Sequence, residues 1–373
     1  MQITSNFPGG NIAVDEIQGD TVQLHADLRD TESDWFYWYF SVQNAQNRKI
    51  RFVFSGCRAM ASFGPAISRD GGVTWTWLGS DSVEGNSFQY TFGPNETEVR
   101  FASAIPYTES NWIGFLSSLN ELRSLVEIRN IGVTRQGRPI ETVHLGCTRQ
   151  LPVHRVVVTA RHHSCETMGS YTLEGLISFL LSQEPEALQL RERVEFSLVP
   201  FIDKDGVETG DQGKNRRPHD HNRDYQGRSL YPEITAFREH VLTWSEGHLT
   251  VALDLHCPWI ADGMNEKIYM IGSRHPHIWD EQERFGKILE RVKQDPLPYQ
   301  VSNNLPFGHG WNIARNYANG RTFTDWVTDL AGVYLATTVE VPYANASGKQ
   351  VDVGNARAFG RDLGLTLAEY LRP

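Results

Sequence analysis

The stretch 154–183 constrains the fold more than any other part of the chain. Its opening run, Arg155-Val156-Val157-Val158-Thr159-Ala160, is short, apolar and β-branched, the composition of a strand buried on both faces. Further on, Met168, Tyr171, Leu176, Ile177 and Leu180 recur at a helical period. Between the two lies Arg161-His162-His163-Ser164-Cys165-Glu166, so His163 and Glu166 sit on a strand-to-helix turn. In open α/β sheets, ligands bind outside the carboxyl ends of the strands. An imidazole and a carboxylate three positions apart suit a borderline cation such as Zn2+. The same pair also fits a solvated surface turn, and the choice depends on whether other segments bring matching chemistry to the same place.

The wider composition narrows the options. With 35 basic and 45 acidic residues among 373, the formal charge is −10, which argues against nucleic acid or an anionic membrane as partner. The N-terminal Met1-Gln2-Ile3-Thr4-Ser5-Asn6-Phe7-Pro8 lacks a basic region followed by an apolar core, and no window approaches a membrane span. The expectation is a soluble, cytoplasmic protein. Cys57, Cys147, Cys165 and Cys257 form no Cys-x-x-Cys pair, so reduced, packed thiols are expected, with Cys165 packing beneath the turn.

Two kinds of patterning divide the chain. Up to about residue 108 it reads as all-β: aromatic 35–42, alternating 51–54 and 98–101, and turn formers at Asn44, Asn47, Asp70-Gly71-Gly72 and Gly93-Pro94-Asn95. This predicts an antiparallel β-sandwich over 1–108. The run from Ser68 to Trp75 reads as a hairpin turn with a packing Trp. Beyond a helical segment at 112–125, apolar strands at 155–160, 194–201, 249–255, 267–272 and 334–341 alternate with helices at 168–183, 233–246, 280–293 and 353–371. Such alternation predicts an α/β domain over 109–373, with a mixed, largely parallel sheet flanked by helices.

The strand ends carry the chemistry. After 194–201 comes a long polar loop holding Arg216, Arg217, Asp220, Asn222 and Arg223; after 249–255 comes His256; and the last strand ends at Glu340. If these strands are parallel, the residues converge on one crevice with His163 and Glu166. Taken singly, His256 fits a hydrogen-bonding residue, and the arginines a solvated loop face. Glu340 is harder to dismiss, because burying an unpaired carboxylate costs several kcal/mol.

In order, His163-x-x-Glu166, Asp220-His221-Asn222-Arg223, Asp254-Leu255-His256 and Thr338-Val339-Glu340 resemble the zinc carboxypeptidases of the carboxypeptidase A type. Tyr317, nine positions before Trp326, matches that family's mobile substrate-binding tyrosine. The aromatic β region, Gly206-Val207 and Asp254-x-His256 are similar to the cytosolic carboxypeptidase branch, which trims C-terminal residues, often glutamates, from proteins. The resemblance covers about Thr108 to the C-terminus and implies a metallocarboxypeptidase acting on a peptide or protein C-terminal tail. It implies one Zn2+ per chain on His163, Glu166 and His256, with Asp220 orienting His163, and Glu340 as general base. It further implies Asn222 and Arg223 on the substrate carboxylate, Tyr317 closing over it, and Arg216 stabilising the oxyanion. Because the loop from Gly213 to Arg223 is shorter than the branch's Gly-Asn-x-Arg arrangement, Arg217 is an alternative to Arg216. Arg321 is a candidate partner for an acidic substrate side chain, giving an expected preference for C-terminal acidic residues, or else a surface residue. The competing readings are a zinc-dependent deacylase of N-acyl amino acids and a non-catalytic binding protein built on the β region.

Overall fold

The computed structural model describes every residue except Cys57, Arg149, Asp295 and Pro373, so the reading of Cys57 as a packed thiol lies outside the described residues. The N-terminal part forms two five-stranded sheets. One runs in the order Gln2–Thr4, Tyr39–Gln43, Glu98–Ala102, Ala66–Ser68 and Thr76–Trp77, all antiparallel. The other runs Ala13–Gln18, Thr21–His25, Lys49–Phe54, Ser87–Thr91 and Val83–Glu84. Its pairing of Thr21–His25 with Lys49–Phe54 is parallel, a departure from the all-antiparallel expectation. The reason is topological: between those two strands the chain crosses to the first sheet, runs through Tyr39–Gln43, and returns.

Trp38, Phe40, Phe52, Phe88 and Phe101 fill the space between the sheets, with Trp38 and Phe88 stacked. The aromatic run 35–42 is only partly strand, beginning at Tyr39. Alternate residues of the run serve different cores: Trp38 and Phe40 face the sandwich, whereas Tyr37 and Tyr39 pack with Ala102 and Cys165. Phe36 meets Trp259 and Tyr343 edge-on in the core of the α/β part. Burial on every side explains why this segment reads as a continuous apolar run. The turn before Trp75 is built on Asp70, whose carboxylate accepts hydrogen bonds from the amides of Val73 and Thr74.

The second part is organised by a seven-stranded mixed sheet. Its order is Glu127–Val133, Pro139–Gly146, Val194–Val199, His154–Ala160, Leu249–His256, Leu335–Glu340 and Tyr269–Ile271. The four strands from Val194–Val199 to Leu335–Glu340 are parallel and buried at every position but the half-buried His154, and the edges are antiparallel. Continuous apolar composition therefore marks the inner strands. The half-exposed outer strand Glu127–Val133 and its neighbour Pro139–Gly146 carry no such run, and the sequence reading passes over both. Helices Met168–Leu181 and Val353–Tyr370 pack together on the sheet. They approach so closely that a Cβ on Gly175 would lie 1.9 Å from the Arg357 carbonyl oxygen, and one on Gly360 2.0 Å from that of Thr172. Among the described residues, no helix is long and apolar enough to cross a membrane.

Candidate metal centre and active site

Parallel pairing places His256 and Glu340 in register at the ends of adjacent inner strands, which directs both side chains to one side of the sheet. The third strand of the group, His154–Ala160, ends one residue before Arg161, which takes a left-handed φ of 63°. Arg161 is buried, and its guanidinium donates to the Ser164 and Tyr107 carbonyls and to the Ser170 hydroxyl. This internal cation holds the turn that presents His163 and Glu166. Neither Arg161 nor its role is suggested by spacing, because its partners lie on three different segments.

Three ligand atoms converge. His163 Nδ1 lies 2.9 Å from Glu166 Oε1, His256 Nδ1 lies 2.6 Å from Glu166 Oε2, and the two Nδ1 atoms are 3.1 Å apart. All three side chains are buried. Each imidazole is backed by a carboxylate on its far nitrogen: His163 Nε2 by Asp220 Oδ1 at 3.2 Å, and His256 Nε2 by Asp254 Oδ2 at 2.7 Å. A carboxylate there keeps the N–H on Nε2, so both Nδ1 lone pairs face each other and the Glu166 carboxylate. Acceptors gathered in this way are satisfied by a cation, and two His with one Glu is a donor set that Zn2+ accepts with a coordination position left open. The residues fit the ion.

Asp254 is the hub behind this arrangement. It is fully buried and also binds His162 Nδ1 at 2.8 Å and the Thr159 hydroxyl at 2.7 Å. Burial alone would raise its pKa, but the imidazoles of His162 and His256 hydrogen-bonded to it hold it far below the usual carboxylate range. His162 spends its other nitrogen on the Tyr225 hydroxyl at 2.6 Å, so it braces the site from behind.

A cavity of about 310 Å³ opens over His163 and His256, and Glu340, Lys214, Asn222, Arg223 and Tyr317 also line it. Glu340 is buried, and its Oε2 has no hydrogen-bond partner among the described residues. Burial, reinforced by the charge of Glu166, pushes its pKa up to about 7. Lys214 Nζ lies 3.2 Å from His163 Nδ1 and 3.3 Å from Glu166 Oε1. Burial works against its charge, yet Glu166, Glu340 and Asp220 outweigh that and raise its pKa.

In the same lining, Arg223 donates to the Asn222 and Asn316 carbonyls and lies 5.2 Å from the centre of the Tyr317 ring. The Tyr317 hydroxyl donates to Asn312 Oδ1 at 2.7 Å. Asn222 is buried; its Oδ1 accepts from the Phe323 amide, and its Nδ2 donates to Asp254 Oδ2 at 3.3 Å.

Three arginines singled out in the sequence are placed differently. Arg216 does not line this cavity: it is buried among Asp30, Asp203 and Asp211, at 3.2, 2.9 and 2.7 Å, beside a separate cavity. Three aspartates, Asp203 fully buried among them, offer it more Coulomb energy than a half-open cleft does. Arg217 pairs with Glu32 and keeps 69% of its side chain exposed, so solvent holds it away from the metal ligands. Arg321 does reach the cavity wall, but its three nitrogens bind Asp325 Oδ2, Asp329 Oδ2 and the Asp325 carbonyl, all close in sequence. An acidic-residue preference resting on Arg321 therefore has no uncommitted guanidinium behind it.

Spacing alone does not single out Lys214 within its loop. A signal for it exists: Gly213 has a positive φ of 75°, and a Cβ there would lie 2.3 Å from the Ser164 amide nitrogen. The glycine thus marks where the loop presses against the ligand turn, and it delivers residue 214 beside His163. Cys165 is a packing thiol, buried against Trp35 and Tyr343, with burial pushing its pKa up to about 12.

Residues 113–247 match the family model for zinc carboxypeptidase. An uncharacterised protein of Zymomonas mobilis is 25% identical, covering 100% of this chain and 97% of its own length. Human cytosolic carboxypeptidase 6 is 27% identical over 73% of this chain, which spans 57% of that relative. The crystal structure of a metallo-carboxypeptidase from Burkholderia cenocepacia shares the fold with a TM-score of 0.80 at 20% identity, covering 99% of this chain and 98% of that one.

Proposed function

We propose that this chain, whose residues 113–247 match the family model for zinc carboxypeptidase, hydrolyses the C-terminal peptide bond of peptides or protein tails with one Zn2+ per chain. The observation that carries this reading is the gathering, around one cavity, of the His163–Glu166–His256 cluster with Glu340, whose Oε2 has no partner among the described residues, and the Arg223–Tyr317 pair. A bare metal site needs neither of the last two.

His163, Glu166 and His256 would hold the ion, with Asp220 and Asp254 fixing the imidazoles. Zn2+ bound there supplies Lewis acidity and lowers the pKa of water. Glu340 accepts the proton of the attacking water and returns it to the leaving amine, a role suited to a carboxylate that burial has made more basic. Arg223 and Asn222 take the terminal carboxylate of the substrate, for which a planar guanidinium is well shaped. Tyr317, resting on Asn312 beside Arg223, closes over that carboxylate.

In the same reading, 1–108 is a β domain and 109–373 the catalytic domain, and the protein works in the cytoplasm, as the named cytosolic relative suggests. The test is zinc per chain together with release of single residues from peptides that differ only at the C-terminus, for wild type and Glu340→Ala. Equal zinc in both, with release by wild type alone, is the expected result. Zinc without release from any peptide would move the reading to a deacylase, and a folded wild type that takes up no zinc would end it.

A further inference from the structure

Resting on that reading, we infer that Lys214, and neither Arg216 nor Arg217, is the cation that stabilises the oxyanion of the tetrahedral intermediate. Peptide hydrolysis places a negative charge on the former carbonyl oxygen. A positive side chain held at that position stabilises the transition state more than the ground state. Such a group has to reach the cavity on the side of the metal ligands, since Arg223 and Tyr317 serve the carboxylate. Of the basic side chains at 214, 216 and 217, Lys214 alone lines the cavity. Its Nζ lies within 3.3 Å of two ligand atoms, so a carbonyl oxygen drawn to the ion would lie beside the ammonium.

The position is built by the N-terminal part of the molecule. Asp30 accepts hydrogen bonds from the amides of Gln212 and Gly213 at 2.9 and 2.8 Å, and its carbonyl accepts from the Arg217 amide at 2.8 Å. The Gln212 side chain bonds to both the amide and the carbonyl of Tyr37 at 2.8 Å. The loop is therefore stapled on either side of Lys214, and the Trp35 ring lies 5.8 Å from its ammonium. Arg216 acts in this staple: its guanidinium joins Asp30 of the β part to Asp203 and Asp211. The two cations have divided the work, one anchoring the loop and the other facing the cleft.

The experiment uses zinc-loaded full-length protein, wild type, Lys214→Met, Lys214→Arg and Arg216→Met. Calorimetry measures the binding of two probes: a phosphinic dipeptide analogue, tetrahedral at phosphorus, built on the residue that wild type releases fastest, and that residue as the free amino acid. The expected result for Lys214→Met is unchanged zinc content and free amino acid binding within about twofold of wild type. Binding of the phosphinic analogue, and kcat with it, should fall by about 10²-fold or more, the usual effect of losing one oxyanion donor. Lys214→Arg should recover much of that loss. Lys214→Met that binds the phosphinic analogue like wild type overturns the assignment, as does a selective loss confined to Arg216→Met. Loss of zinc from Lys214→Met also overturns it, since the lysine would then be serving the ligands. Wild type without zinc or peptide cleavage is a different failure, that of the reading on which this one rests.

Discussion

The two ends of the cavity are built on opposite principles. At the metal end, the three ligands and Glu340 are buried: His256 and Glu340 are register partners on inner strands, and Asp254 and Asp220 grip the imidazoles. At the carboxylate end, Arg223 and Tyr317 stand on short helical turns, His221–Arg223 and Ala314–Tyr317, and lean mainly on backbone carbonyls and on Asn312. Rigid strand ends suit an ion that demands fixed geometry, and loops suit a group that has to admit and release a chain terminus. Damage to the first end should therefore cost metal, and damage to the second should cost only substrate handling.

The comparison breaks most visibly at His256. His256→Ala removes one ligand of three and should abolish zinc binding and turnover, measured as zinc per chain; retention of stoichiometric zinc would contradict the ligand set. Asp254→Asn keeps the shape of the hub but removes its charge. It should weaken zinc affinity by about 10- to 100-fold, read by competition with a chelator. Unaltered affinity there would mean that the strand end alone orients His256. At the other end, Tyr317→Phe deletes the hydroxyl bonded to Asn312, an interaction worth roughly 1 kcal/mol, or about fivefold in kcat/KM, with zinc content unaffected. Loss of zinc in this variant would erase the distinction between the two ends. Arg321→Ala should leave the profile of released C-terminal residues within about twofold, because its guanidinium is held by Asp325 and Asp329. A lost preference for Glu and Asp would show that substrate displaces those partners.

Legibility in the sequence followed burial. The inner strands could be read because both faces are covered and most positions are apolar or β-branched, whereas Glu127–Val133 is half-exposed along its length and blends with loop composition. His163 and Glu166 could be read because a turn keeps ligands three residues apart close in space. Asp254 and Arg161 escaped as functional groups because each also holds a partner distant in the chain: His162 for one, Tyr107 for the other.

The loop Gly213–Arg217 marks where reading by type stops. A basic loop beside a metal turn was evident from composition, and three cations within four positions were available to the cleft. Which one turns inward depends on charges far away in sequence: Asp30, Asp203 and Asp211 capture Arg216, Glu32 holds Arg217 in solvent, and Lys214 is left against Glu166. The sequence by itself determined the inner strands, the ligand turn and the strand-end residues, because local period and short spacing carry that information. Only the tertiary structure decided the assignment of the cations, because Coulomb partners are chosen by distance in space, and the β region brings two of the deciding acids.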